Sequence, residues 1–162
     1  MGATLSVAAA LLTLTGLSIL GIAASLVLAF QAPAAQTSAH VLVGVFATML
    51  NLLAHSLMMF YLIGKGKAVK EAVIEAGIQG DYYSRVSRLR APVFSRATLA
   101  MALTMATGII GASVDVRVLP SWPHAVLAAL AIASQLYAFV TEVTALTGCA
   151  RIVDEVNRTI LG

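Results

Sequence analysis

The stretch Pro123–Leu146, which reads PHAVLAALAIASQLYAFVTEVTAL, decides the fold of this chain. It is long and apolar enough to cross a bilayer as a single helix. Within it, His124 and Glu142 are the side chains that can carry a charge near neutral pH. Because such groups are costly at membrane depth, each is a candidate functional residue.

Three further apolar stretches have the length of membrane-spanning helices: Leu5–Phe30, His40–Ile63 and Thr98–Val114. The whole chain is 60% hydrophobic and 10% charged, with a mean hydropathy of +0.94, which is typical of membrane proteins. We therefore predict an all-α integral membrane protein whose four transmembrane helices form an up-down bundle. Residues 1–162 make up this single domain.

Nine of the ten basic residues lie on one side of the predicted topology: Lys65, Lys67, Lys70, Arg85, Arg88, Arg90, Arg96, Arg151 and Arg158. The positive-inside rule makes this side cytoplasmic and places both termini there. The connections Gln31–Ala39 and Asp115–Trp122 then face outward, and the predicted location is a bacterial inner membrane. The basic pI of 9.4 follows from this topology and does not indicate nucleic-acid binding.

Amphipathic sequence continues helices 2, 3 and 4 beyond their apolar spans, over residues 64–96 and 147–162. Gly77 is predicted to end the first of these segments, Asp81 to cap the next helix and Pro92 to kink it. This cytoplasmic extension is too small for a separate catalytic domain, so we do not expect an enzyme acting on its own. It instead predicts contacts with other membrane subunits or with further copies of the chain.

Two of the helices carry stripes of mainly small and polar residues at helical spacing. The fourth helix has His124, Ala128, Ala131, Gln135, Ala138, Glu142, Ala145 and Cys149, and the second has His40, Gly44, Thr48, Asn51, His55 and Met58. Both stripes are predicted to face protein rather than lipid, across the diagonal of the bundle. The first and third helices, which carry small residues and no such polar seam, are predicted to serve packing.

The stripes predict three layers of polar side chains, which from outside inward are His40 with His124, Asn51 with Gln135, and His55 with Glu142. The second layer begins eleven residues, or about 16 Å, after the first on both helices. The two members of the third layer differ by about 4.5 Å in depth.

The outermost layer predicts a b-type haem. Helices on a diagonal place the imidazoles of His40 and His124 on the two faces of a porphyrin, and Gly44 and Ala128, one turn deeper, leave room for the ring. In this hypothesis His40 and His124 are metal ligands only as ligands of haem iron. As alternatives, both histidines are hydrated interfacial residues that bind nothing, or they hold a transition metal, for which Asp115 would have to supply a further ligand.

This layout resembles the four-helix cytochrome b architecture, in which diagonal helices supply paired axial histidines. The resemblance covers the arrangement and the positions of His40 and His124. It implies a single haem, because Glu142 stands where the family pattern would place a second histidine opposite His55.

The deeper layers predict a second kind of site. His55 and Glu142 are candidates to pass protons or ions or to bind a quinone head group, and Asn51 and Gln135 lie beside them. The competing interpretation is an interhelical hydrogen bond that only fixes the register of the bundle.

Together these patterns predict a small polytopic subunit of a larger membrane-bound complex, working in redox or electron transfer, with haem b as its cofactor. A small oligomeric channel or transporter that uses His55 and Glu142 is an alternative, and so is a purely structural assembly subunit. The expected partners are the lipid bilayer and other membrane subunits or copies of this chain.

Overall fold

Each of the four apolar stretches is helical in the computed structural model, which describes residues 2–31 and 37–161 and the side chains of residues 7–30 and 39–161. The helices are α1 (Gly2–Gln31), α2 (Thr37–Glu75), α3 (Tyr82–Asp115) and α4 (Ser121–Leu161). All four are long and apolar enough to cross a membrane, which confirms the all-α class and indicates an integral membrane protein.

The helices pack as an up-down bundle. Each helix contacts its neighbours in the chain, and α1 closes the ring against α4. α2 and α4 also touch across the diagonal, whereas α1 and α3 make no contact over the part of the chain that the structure describes. As predicted, the shorter diagonal therefore brings the two polar stripes together.

Three of the helices are longer than a bilayer requires. α4 has 41 residues and so extends about 60 Å, whereas the hydrocarbon core of a bilayer is about 30 Å thick. α2 continues without interruption to Glu75, and α3 begins at Tyr82 and runs through Pro92. The segments predicted as extensions are thus continuous with the helices that they extend.

The turn between α2 and α3 is built around Gly77. This residue has φ +63°, and the amide of Ile78 donates to the carbonyl of Val73 at 3.1 Å, which is a glycine-terminated helix end as predicted. Asp81 stands at the N-cap of α3, but its side chain makes no capping hydrogen bond. It instead accepts from Arg88 at 2.9 Å, so the predicted side-chain cap is wrong.

The two ends of the bundle differ in their interiors. We call the end with His40 and His124 the histidine end and the opposite one the basic end; the predicted connection Gln31–Ala39 lies largely outside the described residues. Towards the basic end the core is apolar: Leu11, Met58, Leu62, Val69, Val86, Val93, Ala145, Leu146, Cys149, Ile152 and Val156. Towards the histidine end small residues face one another and leave a cavity.

Candidate functional site

A cavity of about 490 Å³ lies between the helices at the histidine end. It runs from Asp115 and Ser121, which are exposed, down to Thr48, Thr104 and Ala131 in the core. Its volume lies within the range of small-molecule pockets, and its lining is mainly apolar with a few polar side chains, as is usual for such pockets.

The cavity exists because the facing positions of the helices carry very small residues, among them Gly44, Gly108, Gly111 and Ala128. Larger side chains here would fill the space and close the bundle, as they do at the basic end. The stripe that was predicted from sequence to leave room for a ring thus lines an open volume.

His40 and His124 both line this cavity, and their ring centroids lie 5.9 Å apart with the ring planes at 82°. The Nδ1 atom of His40 donates to the backbone carbonyl of Ser25 at 2.7 Å. The Nδ1 atom of His124 donates to the backbone carbonyl of Thr107 at 3.0 Å. Since Nδ1 carries the hydrogen in each neutral ring, Nε2 keeps a lone pair that can bind a metal.

Two glycines make this arrangement of the histidines sterically feasible. A Cβ atom on Gly111 would lie 2.7 Å from Cε1 of His124, so any larger residue would clash with the imidazole ring in this position. A Cβ atom on Gly44 would lie 3.0 Å from Oγ of Ser25, the residue that holds His40. Gly44 was predicted to make room for a porphyrin, but its nearest neighbour is the serine that orients the histidine.

A second polar group lies below the cavity as a chain of hydrogen bonds across three helices. The Thr104 hydroxyl donates to the Ala100 carbonyl at 2.8 Å and accepts from Nε2 of Gln135 at 2.9 Å. Oε1 of Gln135 lies 2.7 Å from Nε2 of His55, and Nδ1 of His55 lies 2.6 Å from Oε1 of Glu142. His55, Gln135 and Glu142 are fully buried.

The direction of this chain fixes the protonation pattern of the buried pair. Because Thr104 already donates its hydrogen, the Gln135 amide must present its NH₂ group to Thr104 and its oxygen to His55. That oxygen only accepts, so Nε2 of His55 carries a hydrogen. One further proton is then shared between His55 and Glu142, and the pair is neutral whichever of them holds it. A neutral, hydrogen-bonded pair is the form in which such groups are tolerated in an apolar core.

Three buried polar atoms among the described residues have no hydrogen-bond partner: Nδ2 and Oδ1 of Asn51, and Oε2 of Glu142. Asn51 and Gln135, predicted to lie at matching depth, do not bond each other, since Gln135 bonds His55 and Thr104 instead. Unpartnered polar atoms in a core are costly and call for a water or a ligand.

A charged contact lies beside the pair on α4. The Arg96 guanidinium lies 4.1 Å from the ring centroid of Tyr137, and its Nη1 atom donates to Oγ1 of Thr141 at 2.6 Å. Thr141 precedes Glu142 in α4, so a fixed positive charge stands next to the buried carboxyl along the helix. Nearer the ends of α3 and α4, Arg85 forms an ion pair with Glu155 at 2.8 Å.

Four residues that hold the histidines and the glutamine carry no distinctive sequence pattern of a site: Ser25, Thr104, Thr107 and Gly111. Thr104 both lines the cavity and ends the buried chain of hydrogen bonds, although α3 was predicted only to serve packing. The sequence does contain one indication of this role: Thr104 begins a run of small residues, Thr104, Gly108 and Ala112, that would face the polar stripes if α3 lay between α2 and α4.

No cluster of three or more His, Cys, Asp or Glu side chains that would suit a metal ion occurs in the described part of the chain. Asp115 therefore does not complete a metal site with the two histidines. Comparisons of the chain with family models, curated proteins and solved structures find no match.

Proposed function

We propose that this chain is a membrane-embedded subunit of a redox complex and binds a b-type haem in the cavity, where His40 and His124 would hold its iron. The observation that carries the proposal is the pair of imidazoles in T-shaped contact beside an apolar cavity, each with Nδ1 bonded to a carbonyl. When bound, the haem would supply one-electron transfer.

The residues present fit such a group. A metal bound by two imidazoles at about 2 Å from each nitrogen holds their centroids roughly 6 Å apart, close to the observed 5.9 Å. The angle between the planes of two imidazoles that bind one metal ion is not fixed, so the observed 82° is compatible with such binding. The hydrogen bonds to Ser25 and Thr107 would orient the rings and make the ligand nitrogens more basic.

The test is the visible spectrum of protein produced with an ample haem supply. We expect a Soret band that is lost in His40→Ala and in His124→Ala, and that returns when imidazole is added to a folded His124→Gly variant. Thr48→Val, which changes the cavity floor without touching a histidine, should keep the band. Colourless wild-type protein would refute the proposal.

We further propose that the basic end faces the cytoplasm, as the positive-inside rule predicts, in a bacterial inner membrane. The helix ends that project there, with exposed charges such as Lys67 and Arg88, would contact other subunits or further copies of the chain. Trypsin added to sealed inverted vesicles should cut at the basic residues that flank the α2–α3 turn, such as Lys70 and Arg88, whereas intact spheroplasts should protect them.

A proton-coupled channel or transporter is the second candidate, because Glu142 and Asn51 keep buried polar atoms without partners. Proton or solute flux in proteoliposomes that is abolished by Glu142→Gln would favour it over a redox subunit. The third candidate is a purely structural subunit, which would show neither a haem spectrum nor flux. It predicts that assembly changes when His55 and Glu142 are both replaced by leucine.

A further inference from the structure

We propose that Glu142 and His55 form a proton-binding site that exchanges protons with water only through the cavity, and therefore only from the histidine end of the bundle. The site takes up one proton onto the neutral pair, which raises its net charge by one. This inference concerns residues below the cavity and does not depend on which molecule the cavity binds.

The first support is the set of unpartnered atoms around the pair. Oε2 of Glu142 and both polar atoms of the Asn51 amide are buried without partners. Both side chains have 0% exposure, so bulk water does not reach them across the surface. Buried water typically bonds groups of this kind, and an amide offers it a donor and an acceptor.

The second support is the continuity between these atoms and the cavity. On α2, Thr48 lies in the cavity floor, Asn51 follows one turn deeper and His55 one turn deeper again. On α3, Thr104 lies in the same floor and is joined through Gln135 to His55. Two walls of the cavity thus lead to the pair, and the mouth at Asp115 is exposed.

The third support is the closure of the opposite side. Met58 and Leu62 follow His55 on α2 with 0% exposure and pack in the apolar core with Val93 and Leu146. A close-packed apolar layer holds no water and offers no group that passes a proton.

Few charged or titratable groups surround the pair. α1 has no ionisable side chain. Along the other helices the groups next to the pair are Arg96 on α3, Tyr61 on α2, Tyr137 and Cys149 on α4, and His40 and His124 at the cavity, and residues such as Lys65 and Arg90 lie farther towards the basic end. Arg96 is held by Thr141 and Tyr137, which precede Glu142 on α4, so its positive charge stands beside the pair and the direction of proton access rests on the cavity and on the apolar core.

The test follows the protonation of Glu142 by infrared spectroscopy in sealed proteoliposomes whose internal pH is clamped by trapped buffer. The signal is the part of the carboxyl and imidazolium difference spectrum that Glu142→Gln removes. Trypsin cleavage at the basic end gives the fraction of molecules with the histidine end outward. When the external pH is changed, we expect that same fraction of the signal to respond at once and the remainder to respond only after a proton ionophore is added.

Three results would overturn the inference: an immediate response equal to the opposite fraction, an immediate response of the whole signal, or no titration of a Glu142-dependent signal at any pH. A substitution at Asn51 tests separately whether protons reach the pair past this residue. Asn51→Leu should slow the response at least tenfold, because it removes the amide that would hold water. Leu53→Met, two residues away, 51% exposed and outside the cavity lining, should leave the rate unchanged. Equal rates in both variants would contradict the role of Asn51.

Discussion

His55 and Glu142 are separated by 87 residues in the chain, yet their side chains meet in a 2.6 Å contact with both groups fully buried. The contact joins α2 to α4 across the diagonal of the bundle. The two side chains satisfy each other, because either of them without the other would be an unsatisfied polar group in an apolar core.

Replacing one member of this pair should therefore be worse than replacing both. We expect Glu142→Leu to destabilise the bundle by about 3–5 kcal/mol, because His55 is left with an unpaired buried nitrogen. The double replacement His55→Leu with Glu142→Leu should recover most of that loss. Unfolding in detergent micelles titrated with SDS measures both values, and additive losses would contradict the prediction.

Gln135 should matter more than the threonine that orients it. Gln135→Leu leaves the Nε2 hydrogen of His55 without an acceptor, at a cost of about 1–3 kcal/mol in addition to the hydrogen bonds that it removes. Thr104→Val removes two neutral hydrogen bonds worth about 1 kcal/mol each, but the Gln135 amide keeps the Ala100 carbonyl within reach at 3.4 Å. The ring nitrogen shifts of ¹⁵N-labelled His55 should show a hydrogen on Nε2 in the wild type. Unchanged shifts in Gln135→Leu would show that the amide does not set this pattern.

Gly111 should not tolerate even one added methyl group. In Gly111→Ala the new Cβ would meet Cε1 of His124 at 2.7 Å, and the resulting overpacking should cost about 1–3 kcal/mol. Gly64→Ala is the matched control, because nothing lies within 4 Å of its added Cβ. That helical substitution should stabilise the protein by about 0.5–1 kcal/mol. Equal thermal stability of the two variants would argue against the His124 contact.

Arg96 should stabilise the bundle through the face of the Tyr137 ring. Arg96→Leu removes both this contact at 4.1 Å and the hydrogen bond to Thr141, a loss of about 1–3 kcal/mol. Tyr137→Phe keeps the aromatic face and should change stability little, whereas Tyr137→Leu should lose about 1 kcal/mol. SDS titration of the three variants gives the comparison, and a Tyr137→Phe loss as large as that of Tyr137→Leu would contradict it.

Periodicity alone predicted much of the fold and part of the site. Of the eight stripe residues of α4, the seven from Ala128 to Cys149 are buried and His124 lines the cavity, because small and polar residues at helical spacing cannot face lipid at low cost. The same reasoning placed His55 near Glu142. It could not place hydrogen bonds that depend on side-chain reach.

Asn51 and Gln135 illustrate this limit, because matching depth did not predict which hydrogen-bond partner each of them has. An imidazole has nitrogens on opposite edges, so His55 spans two layers and bonds both Gln135 and Glu142. Thr104 then completes the amide's hydrogen bonds from a helix that carried no polar stripe. Depth along a helix axis identifies neighbours, but the identity of each partner depends on the shape of the side chains.

The separation of His55 from Glu142 also sets an order for biogenesis. The ribosome completes α2 and α3 before Glu142 is synthesised, so His55 enters the bilayer ahead of its partner. Until α4 docks, each residue presents an unsatisfied group to hydrocarbon that cannot bond it. Docking of the last helix therefore removes two unsatisfied groups at once, and a chain truncated before Glu142 keeps the one on His55.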